Sequence, residues 1–279
     1  MAAARRPLRI GIMGAMTQEI TGLVRELKST TEETIADRTY HSGLLHEVDV
    51  IAVFSRWGKV AAAATAVTLI LKYEVDLIIF TGVAGSLDKM LRIGDVVIAA
   101  NLFQHDMDAS PFFEPHHIPL TNQKLFGSPD ALTEVAHAAV GECLAHAGEM
   151  FAPETLAEFG MTTPKAYVGA VASGDQFVKD AAVRERIRSA ADNVLAVEME
   201  GAAVAQVCAE HKRPHLVIRT ISDGADIDSP EKFTRFISSV ASDYSAGIVK
   251  ILFNKPAFFD AMACIQAERE SPRPEGRHS

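Results

Sequence analysis

The apolar positions of this chain follow two alternating periods. Leu8-Arg-Ile-Gly-Ile-Met13 is a short apolar run with β-branched residues, which predicts a buried strand. The next segment, 18–27, places Ile20, Leu23, Val24 and Leu27 on one helical face. The succession then recurs. Apolar runs predict further strands over 48–54, 76–82, 95–100, 166–172, 194–197 and 216–218, and helical spacing predicts helices over 60–72, 131–146, 181–191, 201–210 and 233–252. Alternation of this kind, with no internal repeat, is the pattern of a three-layer α/β domain over residues 8–253.

Two stretches break the rhythm. Residues 107–130 are rich in Pro, His and Phe, and 148–165 are irregular. A long loop in a compact domain is expected to line a site. The end of the chain, 254–279, is expected to be an extension that is partly disordered, because 268–279 are charged and Pro-rich.

Composition narrows the function. With 27 Lys+Arg against 36 Asp+Glu, the 279-residue chain carries a net charge of -9, which argues against nucleic acid and anionic membranes as partners. It leaves room for a nucleoside, which has no phosphate. The three cysteines, Cys143, Cys208 and Cys264, have scattered spacing and read as small buried hydrophobes in a reducing compartment. Met1-Ala-Ala-Ala-Arg-Arg-Pro7 lacks the apolar segment of a secretory signal, and no run reaches the ~20 residues needed to span a bilayer. A cytoplasmic location is expected.

The chemistry gathers at predicted strand ends, where α/β proteins build their sites. Val197-Glu-Met-Glu200 follows one apolar run, and Arg219-Thr-Ile-Ser-Asp223 follows another. Acids beside so apolar a sequence need partners, and Arg219 is a candidate partner for Glu198 or Glu200. The alternatives are a catalytic constellation or a buried ion-pair network, since both perturb carboxylates. Gly11-Ile-Met-Gly14-Ala-Met-Thr-Gln-Glu19 is neither a dinucleotide fingerprint nor a phosphate loop; Glu19 either faces a ligand or supports the helix start. Thr81-Gly-Val-Ala-Gly85 permits close approach of a ligand to backbone, or forms a tight turn. Phe177, in Ser173-Gly-Asp-Gln-Phe177, stacks on a planar base or joins the core, and Asp175 binds ligand or caps the following helix. His105-Asp106-Met-Asp108 and His116-His117 match no metal motif and read as loop residues, and there is no G-x-S-x-G elbow.

These segments, with Gly58-Lys-Val-Ala-Ala-Ala63 and Gly94-Asp-Val-Val97, occur in an order that resembles the 5′-methylthioadenosine/S-adenosylhomocysteine nucleosidases of the nucleoside phosphorylase superfamily. The resemblance implies a central mixed sheet in a nucleoside phosphorylase-like fold, a homodimer, and hydrolysis of the N-glycosidic bond of an adenine nucleoside without metal or organic cofactor. By position, it implies that Asp223 protonates the leaving adenine with help from Ser222. Glu200 would hold the ribose hydroxyls, with Met199 along the sugar. Glu19, with Arg219 nearby, would orient and deprotonate the attacking water. Phe177 and the Val178 backbone would meet the base, and Ala84 and Gly85 would line the ribosyl site. The superfamily's phosphorylases bind phosphate through arginines, one near the first glycine turn; residues 14–19 contain none and end in Glu19, which favours water. The alternatives are a phosphate-dependent phosphorylase, an aminofutalosine-type nucleoside hydrolase, or a non-catalytic nucleoside-binding protein. The chain departs from the family's usual residues at Thr17, Gln18, Val83 and Trp57, the last standing where a smaller residue is usual, and its 107–165 region is longer. These departures bear on the 5′ substituent of the substrate.

Overall fold

The computed structural model of the chain describes residues 6–121, 123–226 and 229–270. It opens with β1 (Arg9–Gly14), α1 (Thr17–Glu26), β2 (Lys28–Ile35), β3 (Arg38–Leu45), β4 (Val48–Phe54), α2 (Lys59–Leu71), β5 (Leu77–Ser86) and β6 (Val96–Gln104). After the two-residue β7 (Phe126–Gly127) come α3 (Asp130–Ala145), α4 (Ala147–Met150), α5 (Pro153–Phe159), β8 (Ala166–Ser173) and α6 (Ala181–Arg188). The chain continues through β9 (Val194–Glu198), α7 (Gly201–Glu210), β10 (His215–Asp223), α8 (Ser229–Ser239), α9 (Ala241–Phe253) and α10 (Pro256–Glu270).

The strands form one mixed sheet with helices on both faces, because its central strands are apolar on both sides. In β1, Ile10 and Ile12 enter one core while Met13 enters the other; in β5, Leu77 and Ile79 face one way, Ile78 and Phe80 the other. Side chains alternate across a strand, so a continuous apolar run needs cover on both faces. Helices α1, α3, α8, α9 and α10 contribute to the first core, and α2 and α7 to the second.

The sheet also curls back on itself. Strand β5 runs parallel to β10, which is antiparallel to β6; β6 and β8 are parallel, as are β8 and β9. The circuit closes where β9 returns antiparallel to the end of β5, at Gly85↔Val197 and Ser86↔Ala196. The pairings Asp223↔Gly85 and Ser173↔Glu198 bring the carboxyl ends of β5, β8, β9 and β10 to one place.

Five features differ from the sequence expectation, the first being that the stretch 148–165, expected to be irregular, contains α5. The hairpin β2–β3 lies in a stretch with no predicted strand. Strand β2, Lys-Ser-Thr-Thr-Glu-Glu-Thr-Ile, is almost wholly exposed at the sheet edge, where polar side chains discourage further pairing. The single helix predicted over 233–252 breaks at Val240 into α8 and α9, which meet at a 54° bend. The apolar run over 216–218 continues as strand through Asp223, so Arg219, Ser222 and Asp223 lie within β10. Residues 254–270 are largely helical, and Phe258, Ala261 and Met262 are buried in the core; of the stretch expected to be disordered, 271–279 lie outside the described residues. No single described helix is long and apolar enough to cross a membrane.

Candidate active site

A cleft opens where the strand ends converge. Glu19, Ala84, Gly85, Phe177, Val178, Met199, Glu200, Ser222 and Asp223 all line it. Of the residues to which the resemblance gives a role, Arg219 alone is not in the wall, and its position explains how the wall is held.

Arg219 is 1% exposed, and its Nη2 donates to Glu198 Oε2 at 2.7 Å, with Nε on the same oxygen at 3.2 Å. Its Nη1 donates to the Phe80 carbonyl at 3.0 Å, and the guanidinium lies 4.1 Å from the centre of the Phe80 ring. A buried guanidinium is tolerable only when its charge is paired and its N–H groups are satisfied. Its partner is therefore Glu198, and its influence on Glu19 is through charge.

Glu198 is equally well held. It accepts from Gly201 N–H at 2.8 Å, from Glu200 N–H at 3.2 Å, and from the Ser173 hydroxyl. The first N–H groups of a helix have no partner within it, so this carboxylate satisfies the start of α7 while neutralising Arg219. Ser173 Oγ accepts in turn from Ala202 N–H at 2.7 Å, clamping the end of β8 to the same helix start.

This anchoring sets Glu200 at the mouth of α7, 6% exposed, with Oε1 accepting from Gly58 N–H at 2.8 Å. Burial, then the neighbouring Glu198 charge, pushes the Glu200 carboxyl up to about 8. Gly58 adopts φ 93°, a conformation that suits glycine, and a Cβ there would come 3.1 Å from Asp175 Oδ1. Asp175 accepts from Lys59 N–H at 2.8 Å and so caps α2, while α6 is capped by Asp180.

Glu19 reaches back from α1 and crosses to β5. Its carboxylate accepts from Ala15 N–H at 2.6 Å, Met16 N–H at 2.9 Å and Val83 N–H at 3.1 Å. Burial raises its pKa, against the lowering effects of Arg219's charge and these three N–H groups. The helix-start and cleft-facing readings of Glu19 both describe it. Gly82 gives it room, since a Cβ there would lie 2.5 Å from Glu19 Oε1. The small residues of 81–85 therefore accommodate a carboxylate as well as a ligand. At the opposite wall, Asp223 accepts from Ser222 Oγ at 2.8 Å and from Ala225 N–H at 2.8 Å.

An aromatic wall is completed by Trp57, which the sequence marked as bearing on the substrate's 5′ substituent, and by Phe233, which sequence reasoning did not assign to the site. Phe233 meets Phe177 edge-on at 5.6 Å and Trp57 edge-on at 6.0 Å. Phe233 lies one helical turn before the core residue Phe236, at the start of the helix that follows Asp223, and this placement was the available signal. No described residue of 107–130 lines the cleft, contrary to the expectation for that loop. Among the described residues, no group of three His, Cys, Asp or Glu side chains is placed to hold a metal ion.

An α/β scaffold with four buried acidic side chains around an apolar cleft is suited to bind and transform a small polar molecule. Residues 9–253 match the phosphorylase superfamily. The chain is 33% identical over 246 residues to the 5′-methylthioadenosine/S-adenosylhomocysteine nucleosidase of Colwellia psychrerythraea, covering 88% of this chain and 96% of the relative. It is 35% identical to the Tolumonas auensis nucleosidase, over 88% and 99% of the two chains. The Colwellia enzyme in complex with adenine superposes with a TM-score of 0.76 at 32% identity, over 89% and 96% of the chains. A futalosine hydrolase of Helicobacter pylori superposes with a TM-score of 0.77 at 33% identity, over 88% and 97%. The chain belongs to the phosphorylase superfamily and, within it, to the 5′-methylthioadenosine/S-adenosylhomocysteine nucleosidase family.

The raised Glu200 carboxyl has a consequence for stability. In the unfolded chain the group ionises around its ordinary value of 4.5, and in the folded chain around 8. Between these values the unfolded state binds fewer protons, so this group's contribution to stability falls as pH rises across that window. Glu200→Gln keeps an acceptor for Gly58 N–H but does not ionise. In urea unfolding of the ligand-free protein, the variant's stability relative to wild type is expected to rise from pH 5 to pH 8; parallel profiles would contradict the assignment.

Proposed function

We propose that this protein is a purine nucleosidase that hydrolyses the N-glycosidic bond of adenine nucleosides such as 5′-methylthioadenosine, releasing adenine. The observation that carries this reading is the meeting of Glu19, Glu200 and Asp223, from three separate elements, in one cleft. Cleavage of such a bond builds positive charge on the sugar and expels a base that leaves poorly as an anion. The reaction therefore calls for an acid at the base, a polar group that holds the sugar hydroxyls, and a group to activate water.

The roles divide by position. Asp223, held by the Ser222 hydroxyl, donates a proton to the leaving adenine. Phe177 stacks on the base, and the Val178 backbone meets its edge. Glu200 binds the ribose hydroxyls, Met199 lies along the sugar, and Ala84 and Gly85 leave room beside it. Glu19 takes a proton from the attacking water; burial raises its basicity toward the neutral range. Arg219 is a positioning residue, acting through Glu198 on the Glu200 turn and through its charge on Glu19.

Water is favoured over phosphate as the nucleophile. No lysine, arginine or histidine is among the described residues of the wall to hold a phosphate dianion.

A homodimer in the cytoplasm completes the reading. It is supported by the apolar outward face of α2, where Val60 and Leu71 are 81% and 64% exposed, and by Phe112 and Leu120 at 85% and 93%. These side chains are candidate contacts for a second copy of the chain.

Two measurements test these statements. Adenine release from 5′-methylthioadenosine, followed by liquid chromatography, is expected to proceed equally with and without phosphate. Asp223→Asn should lower kcat by roughly 10²–10⁴-fold. Strict phosphate dependence would support a phosphorylase instead, and an unchanged kcat would remove Asp223 as the acid. Sedimentation equilibrium is expected to give twice the chain mass of 30.1 kDa, and the chain mass itself would exclude the dimer.

A further inference from the structure

His105-Asp106, which follows β6, has no part in the roles assigned above, yet it makes contacts that reach two sides of the cleft. Asp106 Oδ1 accepts from Lys59 Nζ at 2.6 Å, and Oδ2 accepts from Asp175 N–H at 2.9 Å. Asp175 Oδ1 in turn accepts from Lys59 N–H at 2.8 Å, so the three residues close a ring. Lys59 Nζ also donates to Gln104 Oε1 at 3.0 Å, and Gln104 Nε2 donates to Gln206 of α7 at 2.7 Å. None of Lys59, Asp106 and Asp175 lines the cleft.

The ring joins segments that are far apart in the chain. On one side is the turn before α2, where Trp57 lines the cleft and Gly58 N–H donates to Glu200 Oε1. On the other is the segment after β8, which carries Phe177 and Val178 into the cleft. That segment lies close against the end of β6. His105 N–H donates to the Ser173 carbonyl at 2.9 Å, and a Cβ at Gly174 would overlap His105 Nε2 and come 3.0 Å from Asp106 Cγ. Burial acts to raise the Asp106 carboxyl, but the Lys59 ammonium and the Asp175 N–H hold it below its ordinary value. The side chains of Lys59 and Asp106 are 17% and 29% exposed, so their attraction is less screened than that of a pair in open solvent.

Residues 55–58 lie between β4 and α2, and 174–180 between β8 and α6, outside the regular elements. Such backbone opens readily unless specific contacts hold it. Asp223 sits within β10, whereas Phe177, Val178 and the Gly58 contact to Glu200 belong to these two loops. We propose that Asp106 is a positioning residue: through Lys59 and Asp175 it locks the 55–58 turn to the 174–178 segment, and so fixes the sugar-binding side of the cleft relative to the base-stacking side. The inference rests on the nucleosidase reading for the roles of those two sides.

The test uses Asp106→Ala, which removes both contacts, Asp106→Asn, which is the same size and keeps one acceptor, and Lys59→Met. For adenine release from 5′-methylthioadenosine, Asp106→Ala is expected to raise KM about tenfold with kcat within about threefold, because binding groups are displaced while Asp223 is not. Asp106→Asn should fall between Asp106→Ala and wild type. Lys59→Met acts through Asp106, so the double variant with Asp106→Ala should be no worse than Asp106→Ala alone. KM does not depend on the fraction of folded enzyme, so a loss of stability alone leaves it unmoved. Trp57, the single tryptophan of the chain, adjoins Gly58, and its quenching by acrylamide in the ligand-free protein should be stronger in Asp106→Ala. An unchanged KM, a fall confined to kcat, effects of the two substitutions that multiply, or unchanged quenching would overturn the proposal. No adenine release by wild type would overturn the nucleosidase reading instead, and the quenching would then decide whether Asp106 holds the turn.

Discussion

The buried pair between Arg219 and Glu198 is the interaction on which the site depends. Both side chains are almost completely removed from water, at 2% and 3% exposure. Desolvation of two charges is costly, and their attraction offsets it only when geometry and hydrogen bonding are nearly complete. Here the guanidinium has a carboxylate, a carbonyl and an aromatic face, and the carboxylate has a guanidinium, a hydroxyl and two helix-start N–H groups. The pair joins β10 to β9 and both to the start of α7, so the positions of Asp223 and Glu200 follow from one contact.

Around this pair, similar carboxylates acquire different properties from different surroundings. Glu198, matched to Arg219, is committed to structure. Glu200, two residues on, has lost water and faces the Glu198 charge, and it holds its proton to about 8. Glu19 is also raised by burial, but Arg219's charge and three backbone donors act against the shift. Separating acids by environment is how one site gains proton donors and acceptors near neutral pH. The closed circuit of β5, β10, β6, β8 and β9 supplies the geometry, because it turns strand ends from different parts of the chain toward one cleft.

Much of this was legible in the sequence. The central strands announce themselves because both faces are buried, leaving uninterrupted runs such as Leu77-Ile-Ile-Phe80. The acids were conspicuous because they end such runs. Strand β2 was illegible for the opposite reason: an edge strand with polar side chains on both faces carries no period. The bend at Val240 was hidden because α8 and α9 continue one apolar rhythm across it. The choice of Glu198 as Arg219's partner depends on contact between separate strands, and local sequence does not encode it. Gly82 was read as space for a ligand, whereas the nearest atoms to its missing side chain belong to Glu19. Phe233 was absorbed into a helix pattern whose period marks the core but not the end that reaches the cleft.

The most direct test of the central role of the pair is a double-mutant cycle on Glu198→Gln and Arg219→Met, read by urea unfolding. Each single change leaves a buried charge unmatched and is expected to cost about 3–5 kcal/mol. The double variant should cost less than the sum, with a coupling of about 2 kcal/mol or more. Effects that add to within about 0.5 kcal/mol would show the two residues acting independently and would contradict the account.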